Sequence, residues 1–127
     1  MASLRTPLAK VRGLGSAKEG TDHFWKQRLT AVSNIFLVSF LLVFFVRYAG
    51  ADHATVKGAL AQPLNAIALL LLVLSAVVHM RLGMQTIIED YVHSEGRKVV
   101  ALMLNSFFAI LVGITCVFAV LKLSFGA

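Results

Sequence analysis

Three stretches of this chain, residues 29–46, 58–80 and 99–121, contain no Asp, Glu, Lys or Arg, and they constrain the fold more than any other feature. A helix crossing ~30 Å of hydrocarbon needs about 20 residues at 1.5 Å rise, and each run meets or approaches that length. Charged residues make up 14% of the chain, against about 25% in an average soluble domain. Their absence is concentrated in the three runs, which excludes a soluble globular fold. The runs use about half of the 127 residues, and the segments between them are too short for a catalytic domain. Any chemistry therefore belongs to the membrane or to a partner protein. The predicted fold is all-α, with three transmembrane helices at about 28–48, 61–90 and 97–122 in a single membrane-anchor domain spanning 1–127.

The formal charge of +6 comes largely from Arg5, Lys10, Arg12, Lys18, Lys26 and Arg28, opposed in the same segment by Glu19 and Asp22. In a membrane protein this excess is a topology signal, not a nucleic-acid footprint. Arg81, Arg97 and Lys98 follow the second run, whereas the other side carries Arg47, Lys57 and Lys122. The count predicts the N-terminus and the second loop on the cytoplasmic or matrix side, and the C-terminus outside. Residues 1–26 are read as a mature basic inner-side segment, because no small-residue cleavage site follows the first apolar run. Their first 13 residues also have the composition of a mitochondrial presequence. Residues 50–58 read as a short outer loop, and Pro63 suits the first turn of the second helix. The single cysteine, Cys116, lies in the third run, so no disulfide or cysteine cluster is expected.

The second helix carries the chemistry. An ionisable side chain inside a span is costly without a partner, which makes His79 a functional candidate. At 100° per residue Gly83 lies about 40° from His79 and Asp90 about 20° from it, ~16 Å further along the axis. Arg81 points elsewhere. A glycine one turn from a histidine lets a flat macrocycle or another helix approach the backbone, and histidine is a good axial ligand for heme iron. One such histidine cannot fill both axial positions. The same two residues would also serve as a helix-packing element with an interhelical hydrogen bond. Asp90 and Tyr91, at the inner boundary, set a carboxylate beside a phenol able to donate a hydrogen bond to a carbonyl; both residue types are also common at helix ends and in interfacial belts. Arg28, at the start of the first run, either snorkels to lipid phosphate or pairs with an anionic group of a cofactor. Ser33, Asn34, Ser39, Asn65, Asn105, Ser106 and Thr115 read as interhelical hydrogen-bonding groups. Phe44, Phe45, Phe107 and Phe108 read as packing or lipid-facing residues.

The pattern His79-x-x-x-Gly83-x-x-x-x-x-x-Asp90-Tyr91 on the second of three spans resembles the smaller, D-type membrane-anchor subunit of succinate dehydrogenase, respiratory complex II. The segment Gly15-Ser16-Ala17-x-x-Gly20-Thr21-x-His23-Phe24-Trp25-x-Gln27-Arg28-x-Thr30-Ala31 is similar to alphaproteobacterial members, and Asp90-Tyr91-Val92-His93 to mitochondrial ones. The resemblance implies a heterodimeric helix bundle in which this chain and a larger cytochrome b anchor subunit hold one heme b. Iron–sulfur and flavoprotein subunits, carrying the clusters and FAD, would dock on the inner side. It implies that His79 is this chain's axial ligand to the heme iron, that Arg28 lies near a heme propionate, and that Tyr91 and Asp90 form part of the ubiquinone site. The chain would then be an enzyme subunit of the bacterial or mitochondrial inner membrane, serving the respiratory chain and the tricarboxylic acid cycle. Two other readings compete: a heme-free structural anchor, and a small transporter or channel subunit. Transport calls for ionisable groups or broken helices near the midplane, and here only His79 is a candidate.

Overall fold

The computed structural model describes residues 6–13 and 20–126. Among them every regular element is a helix: α1 (Pro7–Val11), α2 (Gly20–Arg47), α3 (His53–Ala61), α4 (Pro63–Tyr91) and α5 (Glu95–Phe125). Three of these, α2, α4 and α5, are long and apolar enough to cross a membrane. Arg5, Lys18 and Glu19 of the basic segment, and Gly15, Ser16 and Ala17 of the N-terminal motif, lie outside the described residues.

Two boundaries differ from the sequence expectation. α2 begins at Gly20, not near residue 28. No proline or further glycine interrupts the polar stretch before the apolar run. Asp22 sits in the first turn, where a negative charge complements the helix dipole, with Lys26 one turn on at 4.0 Å. Propensity carries the helix outward past the hydrocarbon. The expected loop at 50–58 is the second correction, because it contains the start of α3. Gly50, at φ 80°, turns the chain after α2, and Asp52 precedes the first turn of α3 in extended conformation. The Thr55 hydroxyl, with smaller help from the first amides of the helix, holds the Asp52 carboxyl below the usual carboxylate range. Residues 58–61 of the second charge-free run thus belong to α3. Gln62 then leaves helical geometry at ψ 129°, as the residue before a proline prefers, and Pro63 opens α4.

The 29 residues of α4 extend about 43 Å, and this helix is the centre of the fold. It packs against α2 on one side and α5 on the other, while no Cα of α2 comes within 8 Å of one in α5. Both pairings are antiparallel. Thr30 meets Ser75 and Gln27 meets Gly83 along one seam; Val77 meets Gly113 and Arg81 meets Asn105 along the other. The short α3 rests on α4 and α5.

Burial is confined to these seams. Ala109 is 1% exposed, and Leu82, Ile88, Ala66 and Phe44 are also buried. By contrast Phe36 is 70% exposed and Ile114 67%, as suits side chains surrounded by lipid. Lipid tails are as apolar as leucine, so helices in a bilayer associate through close backbone approach and interhelical hydrogen bonds. The α4–α5 seam has both. A Cβ on Gly113 would stand 3.4 Å from Val77 Cγ1, and the buried Asn105 donates its Nδ2 to the Arg81 carbonyl at 2.9 Å. Asn65 bridges to α3 by donating to the Ala59 carbonyl at 2.8 Å. Ser39 and Thr115 instead donate to carbonyls of their own helices, Ile35 and Leu111, so the expectation that they join helices is not met. Their hydroxyls reach the preceding turn, which satisfies them without a neighbour.

Replacing Ala109 by Leu forces bulk between α4 and α5 and costs about 1–3 kcal/mol. Asn105→Leu removes one interhelical hydrogen bond, on average about 0.6 kcal/mol in such bundles. Thermal denaturation in detergent should therefore show the larger loss for Ala109→Leu. The reverse order would mean that the Asn105 bond, rather than close approach, holds α5 in place.

Candidate functional site

On α2, His23, Gln27, Thr30 and Asn34 recur at intervals of four, three and four residues, within about 60° of one another on the helix wheel. This is a polar stripe on an otherwise apolar helix. On α4, Ser75, His79, Gly83 and Thr86 form a matching stripe, and the two face each other across the seam.

Thr30 is the hub of the contact. Its Oγ1 lies 2.8 Å from the Lys26 carbonyl oxygen, 3.1 Å from that of Gln27 and 3.1 Å from His79 Nδ1. A carbonyl can only accept, and the hydroxyl has one proton to give, so that proton points back along α2. Towards the imidazole Thr30 then accepts, and the proton between them belongs to Nδ1. In the neutral ring this leaves Nε2 with its lone pair. Nε2 makes no hydrogen bond among the described residues. Ser75, one turn earlier, donates to the Thr30 carbonyl at 3.3 Å and ties the same residue to α4 a second time.

Gly83 sits beside this pair. A Cβ there would meet Gln27 Nε2 at 3.4 Å, so the Gln27 side chain closes over this glycine. Towards the end of the seam His23, Phe24, Gln27, Arg28, Ala31 and Thr86 line a cleft of about 420 Å³. Arg28 is held over the Phe24 ring at 4.3 Å, a cation–π contact that keeps the guanidinium at the cleft and off the helix axis. Three buried side-chain atoms on the α2 stripe have no hydrogen-bond partner among the described residues: His23 Nε2, Gln27 Oε1 and Asn34 Oδ1. Each unmet group costs about 1–3 kcal/mol, so the stripe has capacity for a further ligand, water or chain.

His79 and Gly83 thus face Thr30 and Gln27 across the α2–α4 seam, and Arg28 lines the cleft that Gln27 shares. Tyr91 does not join them. It lies about 120° from His79 around α4, and with Val92, His93, Arg97 and Ala101 it lines a separate cleft of about 330 Å³ where α4 turns into α5. Tyr91 is 76% exposed. Asp90 is exposed, shares the angular sector of His79, and is not among the residues lining the Tyr91 cleft. Its neighbour Glu89 is engaged by Gln85, which donates to Oε1 at 2.8 Å. Among the described residues no three His, Cys, Asp or Glu side chains gather in a way that could hold a metal ion. Sequence reasoning assigned no site role to Ser75, and His23, Gln27 and Thr30 stood out there only as part of the family-like segment. The four-three-four spacing on α2 was the available signal.

Comparison with known proteins gives a consistent family. The family described as succinate dehydrogenase/fumarate reductase transmembrane subunit matches residues 2–117. A succinate dehydrogenase hydrophobic membrane anchor subunit from Rickettsia bellii (strain RML369-C) is 33% identical, over 90% of this chain and 94% of its own. One from Paracoccus denitrificans is 30% identical over 96% and 94%, and a succinate dehydrogenase membrane anchor subunit from Reclinomonas americana is 33% identical over 73% and 80%. No solved structure matches the chain with significance.

Thr30→Val keeps the shape of the seam and removes the acceptor for His79 Nδ1. The expected result is loss of the single Nε2-deprotonated tautomer, read by imidazole ¹⁵N chemical shifts. An unchanged tautomer would show that another group orients the ring.

Proposed function

The chain belongs to the succinate dehydrogenase/fumarate reductase transmembrane subunit family, and from that premise we propose that His79 and Tyr91 serve two different steps of electron transfer to quinone. It is the membrane-anchor subunit of a succinate dehydrogenase and an integral inner-membrane protein. In this reading the anchor and a larger cytochrome b anchor subunit would together hold one heme b, with His79 Nε2 as the group this chain would offer to the iron.

The observation that carries this reading is the Thr30–His79 hydrogen bond. A metal-bound imidazole nearly always donates its other N–H to a fixed acceptor, which sets the tautomer and the ring plane, and Thr30 supplies that acceptor. The rest of the seam fits the group. Gly83 leaves room for the Gln27 side chain across the seam, and Arg28 lines the cleft that Gln27 shares, where it would pair with a propionate. Heme, when bound, supplies one-electron transfer at a potential set by its ligands and surroundings. Thr30 holds the ligating ring, and Gln27 and His23 offer unmet hydrogen-bonding capacity beside it.

In the same reading Tyr91 donates its phenolic hydrogen bond to a ubiquinone carbonyl, and Asp90 adds negative charge at that end of α4. The excess of Lys and Arg near that end supports an orientation with the N-terminus and the α4–α5 turn on the cytoplasmic or matrix side. There the flavoprotein, with FAD, and the iron–sulfur subunit would dock, and succinate oxidation would feed the respiratory chain and the tricarboxylic acid cycle.

The test is a dithionite-reduced minus oxidised visible spectrum of the complex purified through this chain. A b-type signal in the wild type, diminished or shifted in His79→Ala with partner subunits retained, is the expected result. A complete complex without a b-type signal would remove the ligand role and leave a heme-free anchor. Tyr91→Phe is expected to lower succinate–quinone reductase activity relative to succinate-dependent dye reduction. Parallel loss of both activities would mean failed assembly.

A further inference from the structure

The α4–α5 turn is short and tied at both ends. The Val92 amide donates to the Ile88 carbonyl at 3.0 Å, and the Lys98 amide donates to the Ser94 carbonyl at 2.9 Å. Residues 92–94 are extended or irregular between these two helix ends. His93 lines the cleft together with Tyr91 and Arg97. Arg97 and Lys98 are adjacent cations, yet only Lys98 is engaged, by Glu95 at 3.7 Å; Arg97 makes no ion pair among the described residues. One small cleft thus contains a phenol, an imidazole and an uncommitted guanidinium.

Resting on the reading that Tyr91 holds a quinone carbonyl, we propose that His93 is the proton donor to that carbonyl and that Arg97 stabilises the anion formed before protonation. The chemistry needs such a pair. Quinone reduction takes two electrons, supplied by succinate oxidation in the partner subunits, and two protons. As negative charge develops on the carbonyl oxygen, the N–H bond of the His93 imidazolium breaks and an O–H bond forms. The neutral imidazole then regains its proton from bulk water, to which its exposed position gives access. The second proton reaches the far oxygen from solvent. Tyrosine ordinarily ionises near pH 10 and keeps its proton while donating a hydrogen bond, whereas imidazole is the side chain whose ordinary ionisation falls between pH 5 and 8. The charged and titratable groups around His93 are Glu89, Asp90 and Tyr91 at the end of α4, and Glu95, Arg97 and Lys98 in the first turn of α5.

The experiment uses the purified complex, a short-chain ubiquinone and a pH series. All rates are normalised to succinate-dependent dye reduction, which reads assembly. For His93→Leu the expected result is a kcat lowered about 100-fold, the lower end of general-acid contributions. KM should stay near the wild-type value, and the decline of kcat with rising pH should disappear. His93→Lys keeps a protonated donor, so it should restore part of the rate and move the decline to higher pH. Wild-type rate and pH dependence in His93→Leu, with Tyr91→Phe impaired, would overturn the donor role and leave the quinone reading standing. Wild-type behaviour of both variants would overturn the quinone reading itself. A slowed His93→Leu with unchanged pH dependence and no rescue by lysine would assign His93 to the shape of the turn and overturn the proposal.

Discussion

The fold depends on one constraint: a polar side chain in hydrocarbon must find its hydrogen-bond partner within protein. α2 carries Thr30 and Asn34 within its apolar run, with Gln27 and His23 continuing the same face outward, and among the described residues α4 is the element packed against it. Thr30 meets the constraint for several groups together, satisfying its own hydroxyl on the preceding turn, receiving His79 Nδ1–H, and accepting at its carbonyl from Ser75. Rotating α2 by one residue would move the stripe about 100° away from α4 and leave all of these groups in lipid. The seam that joins the helices is therefore also what orients the imidazole. Packing and ligand geometry here are a single arrangement.

Because α2 and α5 stay apart, α4 works with two separate faces. One presents His79 to α2 across a polar seam; the other meets α5 through small residues and the Asn105 bond. Tyr91 belongs to the α5 side, since 12 residues from His79 amount to about 120° of rotation. The end of α4 can thus serve two clefts without either crowding the other. Asp90 falls on the His79 side of this division even though it adjoins Tyr91 in sequence. Any influence it has on the Tyr91 cleft acts through charge at that end of the helix, not as part of the cleft lining.

Much of this was legible in the sequence, and the reasons for the rest are specific. Absence of charge marks where lipid must be, and Pro63 can begin a helix but not sit inside one, so the three spans and the start of α4 could be read directly. Hydropathy says little about where a helix ends in water. Consequently the polar first two turns of α2 and the short α3 were missed, both resting on ordinary helix propensity and end effects. His79 stood out as an ionisable group in an apolar run, and the resemblance named it as well. Thr30 did not stand out, because a threonine in a span usually satisfies itself on its own backbone. It became identifiable only when α4 brought a histidine opposite it.

The exposed apolar surface of this chain is a poor guide to what else binds it. Ile67, Leu71, Leu74 and Val78 form an open stripe along α4, but in a bilayer such a stripe is already solvated by lipid tails and gains little from being covered by a helix. The unmet atoms of His23, Gln27 and Asn34 differ in kind, since no lipid tail can hydrogen-bond them. They lie on the same seam as His79, two of them lining the cleft that Arg28 shares. The physical demand for an additional group is therefore strongest along the α2 face that meets His79. Among the described residues nothing supplies these hydrogen bonds, so the α2 face opposite His79 is where a further group would gain most.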